Sequence, residues 1–161
     1  NRSVIEHLDL IAQSDVQFIW QTGKFYHQQI LDSMKGKELS NLKIMDFISD
    51  MGAAYKAADL VISRAGASSI SEFQLIGKPV ILVPSPNVAE DHQTKNAMAL
   101  VNKDAALCVK DAEAPDTLIK LALETITNDE KLASLSEHVK KMGLKDSAEI
   151  IADEVIKLIK A

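Results

Sequence analysis

Residues 59–84, DLVISRAGASSISEFQLIGKPVILVP, decide the fold. Asp59-Leu60-Val61-Ile62-Ser63 is a run of branched apolar residues, as in a buried strand, and Gly66 breaks it. Ser68 to Ile76 follows at helical spacing, and Gly77 closes that helix as a C-terminal glycine does. Pro79 to Val83 is the most apolar strand of the chain, and Pro84 ends it. A strand, a small-residue turn, a helix and a second strand make a βαβ crossover, the connection that parallel strands require.

The same alternation extends in both directions. Upstream, Val4, Ile5, Leu8 and Ile11 recur at helical spacing, and Val16 to Trp20 is a strand stopped by Thr22-Gly23. A helix over Lys24 to Met34, a strand over Leu42 to Phe47 and a helix over Met51 to Ala58 follow. Downstream, Asp91 to Lys103 is helical and Ala105 to Val109 is the last strand. The rest is helix: Pro115 to Thr127, Asp129 to Met142 and Ser147 to Lys160. Five strands alternating with helices predict an α/β class, Rossmann-like and doubly wound, with a parallel sheet covered on both faces. Such a sheet opens with a strand, yet the first helix here has none before it. The expectation is that the first strand is missing and the chain is a piece of something longer.

Composition limits the rest. The 161 residues, 47% hydrophobic, fit a single domain spanning 1–161, since domains run roughly 100 to 200 residues. Eighteen Lys plus Arg against 23 Asp plus Glu leave a net charge of -5, with both signs interspersed. Nucleic acid is not an expected partner, because no basic field exists to hold it. One cysteine, Cys108, can form neither an internal disulfide nor a multi-cysteine zinc site, which points to the cytoplasm. No apolar run approaches the roughly 18 to 20 residues of a membrane span. The dinucleotide, P-loop and nucleophile-elbow patterns are absent, the four histidines are dispersed, and no D-x-D occurs. No metal and no cofactor is expected.

What remains is a polar region between Ser63 and Asn96. Gly66-Ala67-Ser68-Ser69 follows a strand and opens a helix, where backbone N–H groups and the helix dipole, about half a positive charge, favour a phosphate. Glu72 lies one turn in, where a carboxylate can accept from vicinal ribose hydroxyls. Ser69-x-x-Glu72 is equally a capping box. Both readings fit the spacing. Further on, Asp91 reads as an N-cap with His92 and Gln93 in the first turn, and Gln93 and Asn96 share a helix face. They could offer amides to sugar hydroxyls, or Asn96 could satisfy a neighbouring loop while His92 is merely solvated.

Taken together, the stretch 58–72, then Gly77-Lys78-Pro79-Val80-Ile81-Leu82-Val83-Pro84, then His92-Gln93-x-x-Asn96-Ala97 resembles the donor-binding half of the MurG family. These bacterial N-acetylglucosaminyltransferases convert lipid I to lipid II in peptidoglycan synthesis. The resemblance covers nearly the whole chain. It implies the carboxyl-terminal half of a two-domain GT-B glycosyltransferase, an inverting hexosyltransferase with UDP-N-acetylglucosamine as donor. By the same resemblance, Ile48 contacts uracil through its backbone and Glu72 takes the ribose hydroxyls. Gly66, Ala67, Ser68 and Ser69 flank the diphosphate, and Gln93 reads the sugar, with His92 and Asn96 beside it. The general base, the lipid I site and contact with the cytoplasmic face of the inner membrane fall to an amino-terminal domain with no counterpart here, so no catalytic residue is expected in this chain and it alone is expected to be inactive. A UDP-N-acetylglucosamine epimerase-like enzyme and a non-catalytic UDP-sugar-binding subunit share these features and stay open as alternatives. The last helix carries an apolar stripe of Ile150, Ile151, Val155, Leu158 and Ile159, which by itself reads as core packing; in two-domain members of the fold it crosses back to the first domain.

Overall fold

The structure, a computed structural model, describes residues 1–37 and 39–160, Lys160 by its backbone alone. The first half runs α1 (Arg2–Glu6), α2 (Leu8–Ala12), β1 (Phe18–Gln21), α3 (Lys24–Ser33), β2 (Leu42–Met45) and α4 (Met51–Ala57). The second runs β3 (Val61–Ser63), α5 (Ala67–Ile76), β4 (Val80–Leu82), α6 (His92–Val101), β5 (Leu107–Cys108), α7 (Ala114–Ile126), α8 (Asp129–Lys141) and α9 (Ser147–Lys160). Alternation and order follow the sequence reading. The amino-terminal helix does not run unbroken through Val4–Ile11: it breaks at His7 (φ −120°, ψ 24°), whose Nδ1 lies 3.0 Å from the Ser3 carbonyl oxygen. A side chain that engages the carbonyl one turn back competes with the helix ladder.

All strand pairs are parallel, but the strands form two sheets rather than one. β1 pairs with β2, Phe18 opposite Leu42 through Gln21 opposite Met45. The second sheet has the order β3-β4-β5, with Val61 opposite Val80 and Ile81 opposite Leu107. Consecutive strands are neighbours within each sheet, joined by the helical crossovers that parallel pairing requires. Among the described residues β1 and β3 each have one strand partner, and Ile19 and Ile62 on these strands are 48% and 37% exposed.

The three-stranded sheet carries the main core. Val80 and Leu82 face α5, α6 and α8, packing with Ile70, Phe73, Ala97, Leu100 and Val139. Ile81 and Val83 face the opposite side, against Val109 and the α7 residues Ala114, Leu118 and Ala122. That alternation is the two-residue period of a strand buried on both faces. A smaller cluster joins Trp20 of β1 to Leu8, Ile30 and Met34. α1 packs against α7 and so links the two sheets. Beyond α8, Gly143 runs close over α5: a Cβ on it would stand 2.7 Å from the Gln74 carbonyl oxygen.

α9 departs from the core-packing reading. Ile150, Ile151, Val155, Leu158 and Ile159 are all at least half exposed, and no core cluster includes them. Among the described residues no helix is long and apolar enough to cross a membrane.

Replacing fully buried Leu82 by alanine is expected to lower stability by about 2–5 kcal/mol. Ile62→Ala costs clearly less, because part of that side chain never leaves water. Urea unfolding midpoints at unchanged slope compare the two; equal losses would mean that the β3 edge is covered in solution.

Candidate functional site

The candidate ligand contacts lie in the loops that follow β2 and β3 or on the helices α5 and α6 that follow β3 and β4, on the side of the carboxyl ends of the strands, the edge at which doubly wound sheets bind ligands. β3 ends at Ser63, and the chain turns through Arg64, Ala65 and Gly66 into α5. Ala65 is fully buried in this turn. Its N–H donates to Gln93 Oε1 at 3.2 Å, and its carbonyl accepts from Asn96 Nδ2 at 3.1 Å. With both backbone groups held by α6, the turn is fixed, and Gly66 takes the N-cap position in an extended conformation.

The capping box is therefore not formed. α5 starts at Ala67, before Ser69, and no side chain caps it. The Ser68 and Ser69 hydroxyls make no hydrogen bond among the described residues. Apart from its own chain neighbours, nothing lies within 4 Å of where a Gly66 Cβ would be, so the space beside Gly66 is open. Glu72 turns elsewhere: its Oε2 accepts from the Tyr55 hydroxyl at 3.0 Å. Tyr55 stands edge-on to buried Phe73, ring centroids 5.6 Å apart and planes at 78°. Burial first, and then the bond to Glu72, push the Tyr55 hydroxyl pKa up to about 12, so it stays a donor at any ordinary pH.

α6 ties two loops together through its amides. Gln93 Oε1 also accepts from Ser85 N at 2.9 Å, so one oxygen ties the loops after β3 and β4 to α6. Asn96 likewise satisfies a neighbouring loop. His92 is exposed, with Nε2 3.7 Å from Glu90 Oε2, and makes no bond to the α5 turn. The chain enters α6 through a short 3-10 turn, Ala89–Asp91, in which Glu90 and Asp91 both have left-handed backbones, φ 53° and 54°. Asp91 holds the N-cap position, but its side chain caps nothing.

Ile48 sits in the loop after β2. Its N–H donates to Gln21 Oε1 at 2.9 Å, from the last residue of β1. Asp46 accepts from the Phe47 N–H, and Asp50 caps α4 through the Ala53 N–H, both at 2.8 Å. This loop is thus shaped at both ends by aspartates and pinned in the middle by Gln21.

Three residues of this layer escaped the sequence reading: Gln21, Tyr55 and Arg64. Arg64 Nη1 donates to the Val83 carbonyl at 3.2 Å and the Pro84 carbonyl at 3.4 Å, and pairs with Asp111. It spans the loops after all three strands of the larger sheet. The ion pair is half exposed and contributes about 1 kcal/mol or less on its own, so its value is geometric. The R-A-G motif was the available signal. A cavity of about 520 Å³ lies at the carboxyl ends of β4 and β5, lined by Pro84, Met98, Cys108 and Asp111 among others. None of the residues singled out from the sequence as ligand contacts lines it. Among the described residues no cluster of His, Cys, Asp and Glu could hold a metal ion.

With this geometry in view, the comparisons with known proteins are specific. A UDP-N-acetylglucosamine--N-acetylmuramyl-(pentapeptide) pyrophosphoryl-undecaprenol N-acetylglucosamine transferase of Bacteroides fragilis is 66% identical over 160 residues, covering 98% of this chain and 42% of the relative. The enzyme of the same name from Flavobacterium psychrophilum is 45% identical, over 100% of this chain and 43% of its own. The chain spans less than half the length of the curated relatives it matches. Among solved structures, MurG of Acinetobacter baumannii superposes with a TM-score of 0.79 at 25% identity, covering 97% of this chain and 48% of that one. The glycosyltransferase VinC, at TM-score 0.66 and 16% identity, shares the fold. The family described as the glycosyltransferase family 28 C-terminal domain matches residues 1–151, and this chain belongs to it.

Proposed function

We propose that residues 1–161 form a single UDP-sugar-binding domain, the donor half of an inverting hexosyltransferase that moves N-acetylglucosamine from UDP-N-acetylglucosamine to lipid I, giving lipid II for peptidoglycan. The observation that carries this reading is the α5 start, an uncapped helix N-terminus with open space beside Gly66 and a carboxylate, Glu72, turned away from capping. The names borne by the relatives from B. fragilis and F. psychrophilum supply the substrates.

In this reading the Ile48 carbonyl accepts from the uracil N3–H, while its N–H stays on Gln21. Glu72 accepts from the ribose diol. The N–H groups at Gly66 to Ser69, with the Ser68 and Ser69 hydroxyls, hold the diphosphate. As the glycosidic bond to UDP breaks, negative charge grows on the diphosphate. The α5 dipole and donors stabilise that charge more in the transition state than in the ground state, which is what accelerates a reaction. The Gln93 NH₂ group, its oxygen already engaged, faces the sugar hydroxyls with His92 and Asn96 beside it. The general base and the lipid I site belong to the rest of the longer protein, which works at the cytoplasmic face of the inner membrane.

Titration of UDP-N-acetylglucosamine into the wild type and Glu72→Ala tests the ribose assignment. The variant is expected to bind at least about tenfold more weakly, the cost of hydrogen bonds to a charged acceptor; equal affinities would sink it. Gln93 is tested by two substitutions. Gln93→Ala strips the acceptor from two backbone donors and is expected to cost about 1–3 kcal/mol of stability for each one left buried. Gln93→Glu keeps an acceptor but loses the NH₂ group, so it should retain the fold and weaken sugar-nucleotide binding relative to UDP. If Gln93→Glu binds both ligands as the wild type does, Gln93 has no role toward the sugar.

A further inference from the structure

Glu72 is an exposed carboxylate on a flexible stem, yet ribose recognition needs it in one orientation before the ligand arrives. An unrestrained glutamate loses most of its rotamer freedom on binding, and that loss weakens affinity. Here one oxygen is already held. The group holding it is Tyr55, 17 residues earlier in sequence, on α4. Two features make Tyr55 a firm anchor. Its ring packs edge-on against Phe73, which is fully buried and adjacent to Glu72 in sequence, and the partly buried ring packs against the core cluster around Val80 and Leu82. A tyrosine also has only two side-chain torsions to fix.

We propose that Tyr55 is the positioning residue of the ribose subsite: its hydroxyl holds Glu72 Oε2, so that the carboxylate meets a vicinal diol already aligned and selects ribonucleotides over 2′-deoxyribonucleotides. The inference rests on the donor-site reading of Glu72. Tyr55 itself does not touch the ligand. Its hydroxyl can serve throughout the working pH range, because burial and Glu72 together hold its proton far above neutrality.

α4 gives the arrangement a second consequence. The helix is capped by Asp50, in the loop that carries Ile48, and ends two residues after Tyr55. One short rigid element therefore sets the spacing between the turn that meets the base and the anchor that aligns the ribose acceptor. Base and sugar recognition are coupled through it without any contact between them.

The test uses UDP and 2′-deoxy-UDP, each titrated into the wild type, Tyr55→Phe and Glu72→Ala. The wild type is expected to favour UDP by at least about tenfold, the worth of one hydrogen bond to a charged group. Tyr55→Phe keeps the ring on Phe73 and should fold normally, as circular dichroism and the thermal midpoint would show. It is expected to weaken UDP roughly three- to tenfold while leaving 2′-deoxy-UDP nearly unchanged, so that the preference shrinks. Equal weakening of both nucleotides, or an unchanged ratio while Glu72→Ala still loses UDP, would overturn the role of Tyr55 and leave the donor site standing. No UDP binding by the wild type, or no loss on Glu72→Ala, would overturn the donor-site reading and this inference with it.

Discussion

The arrangement at the sheet edge depends on how one buried peptide unit is satisfied. Ala65 lies two residues beyond β3, outside the strand pairing of the described residues, and a buried backbone N–H and C=O left alone would each cost on the order of 1–3 kcal/mol. α6 supplies both partners, Gln93 for the donor and Asn96 for the acceptor. Because Gln93 serves Ser85 with the same oxygen, the loops after β3 and β4 cannot move independently. Everything at this edge follows from that: where α5 begins, why Gly66 and not Ser69 takes the cap, and why Glu72 is free to face α4. Arg64 adds a second tie, to the loop after β5.

The charge distribution fits this economy. A net charge of -5 repels anions through the overall field. The local arrangement needs no attractive overall field. A helix terminus acts within about its first turn and is screened beyond it, so an anion can be held by α5 while the surface as a whole stays acidic. Arg64, a cationic side chain built into this edge, is committed to carbonyls and to Asp111.

Much of this was legible in the residues. The order of elements followed from periodicity, and the R-A-G and H-Q-x-x-N-A segments marked the right edge. Three things were not legible, each because the deciding partner is distant in sequence. Ser69-x-x-Glu72 has the spacing of a capping box, but the helix start is set by α6, 28 and 31 residues beyond Ala65. Gln21 and Ile48, 27 apart, meet only because β1 and β2 pair in parallel at that register. The division into two sheets reflects strand pairing, to which local patterns are blind. The stripe on α9 was legible as amphipathic, but amphipathicity alone does not say what covers a face, and here none of the described core does.

Gly143 decides how that stripe is presented. A Cβ there would press on the Gln74 carbonyl, a backbone atom that cannot rotate aside. The absence of a single methyl group lets the chain lie flat over α5 at the end of α8 and leave for α9 along one heading. A larger residue would lift this corner, and the long helix beyond would act as a lever, turning a shift of a few tenths of an ångström at the hinge into a displacement of its far end many times larger. The bearing of the exposed apolar stripe on α9 is thus set by a residue that has no side chain.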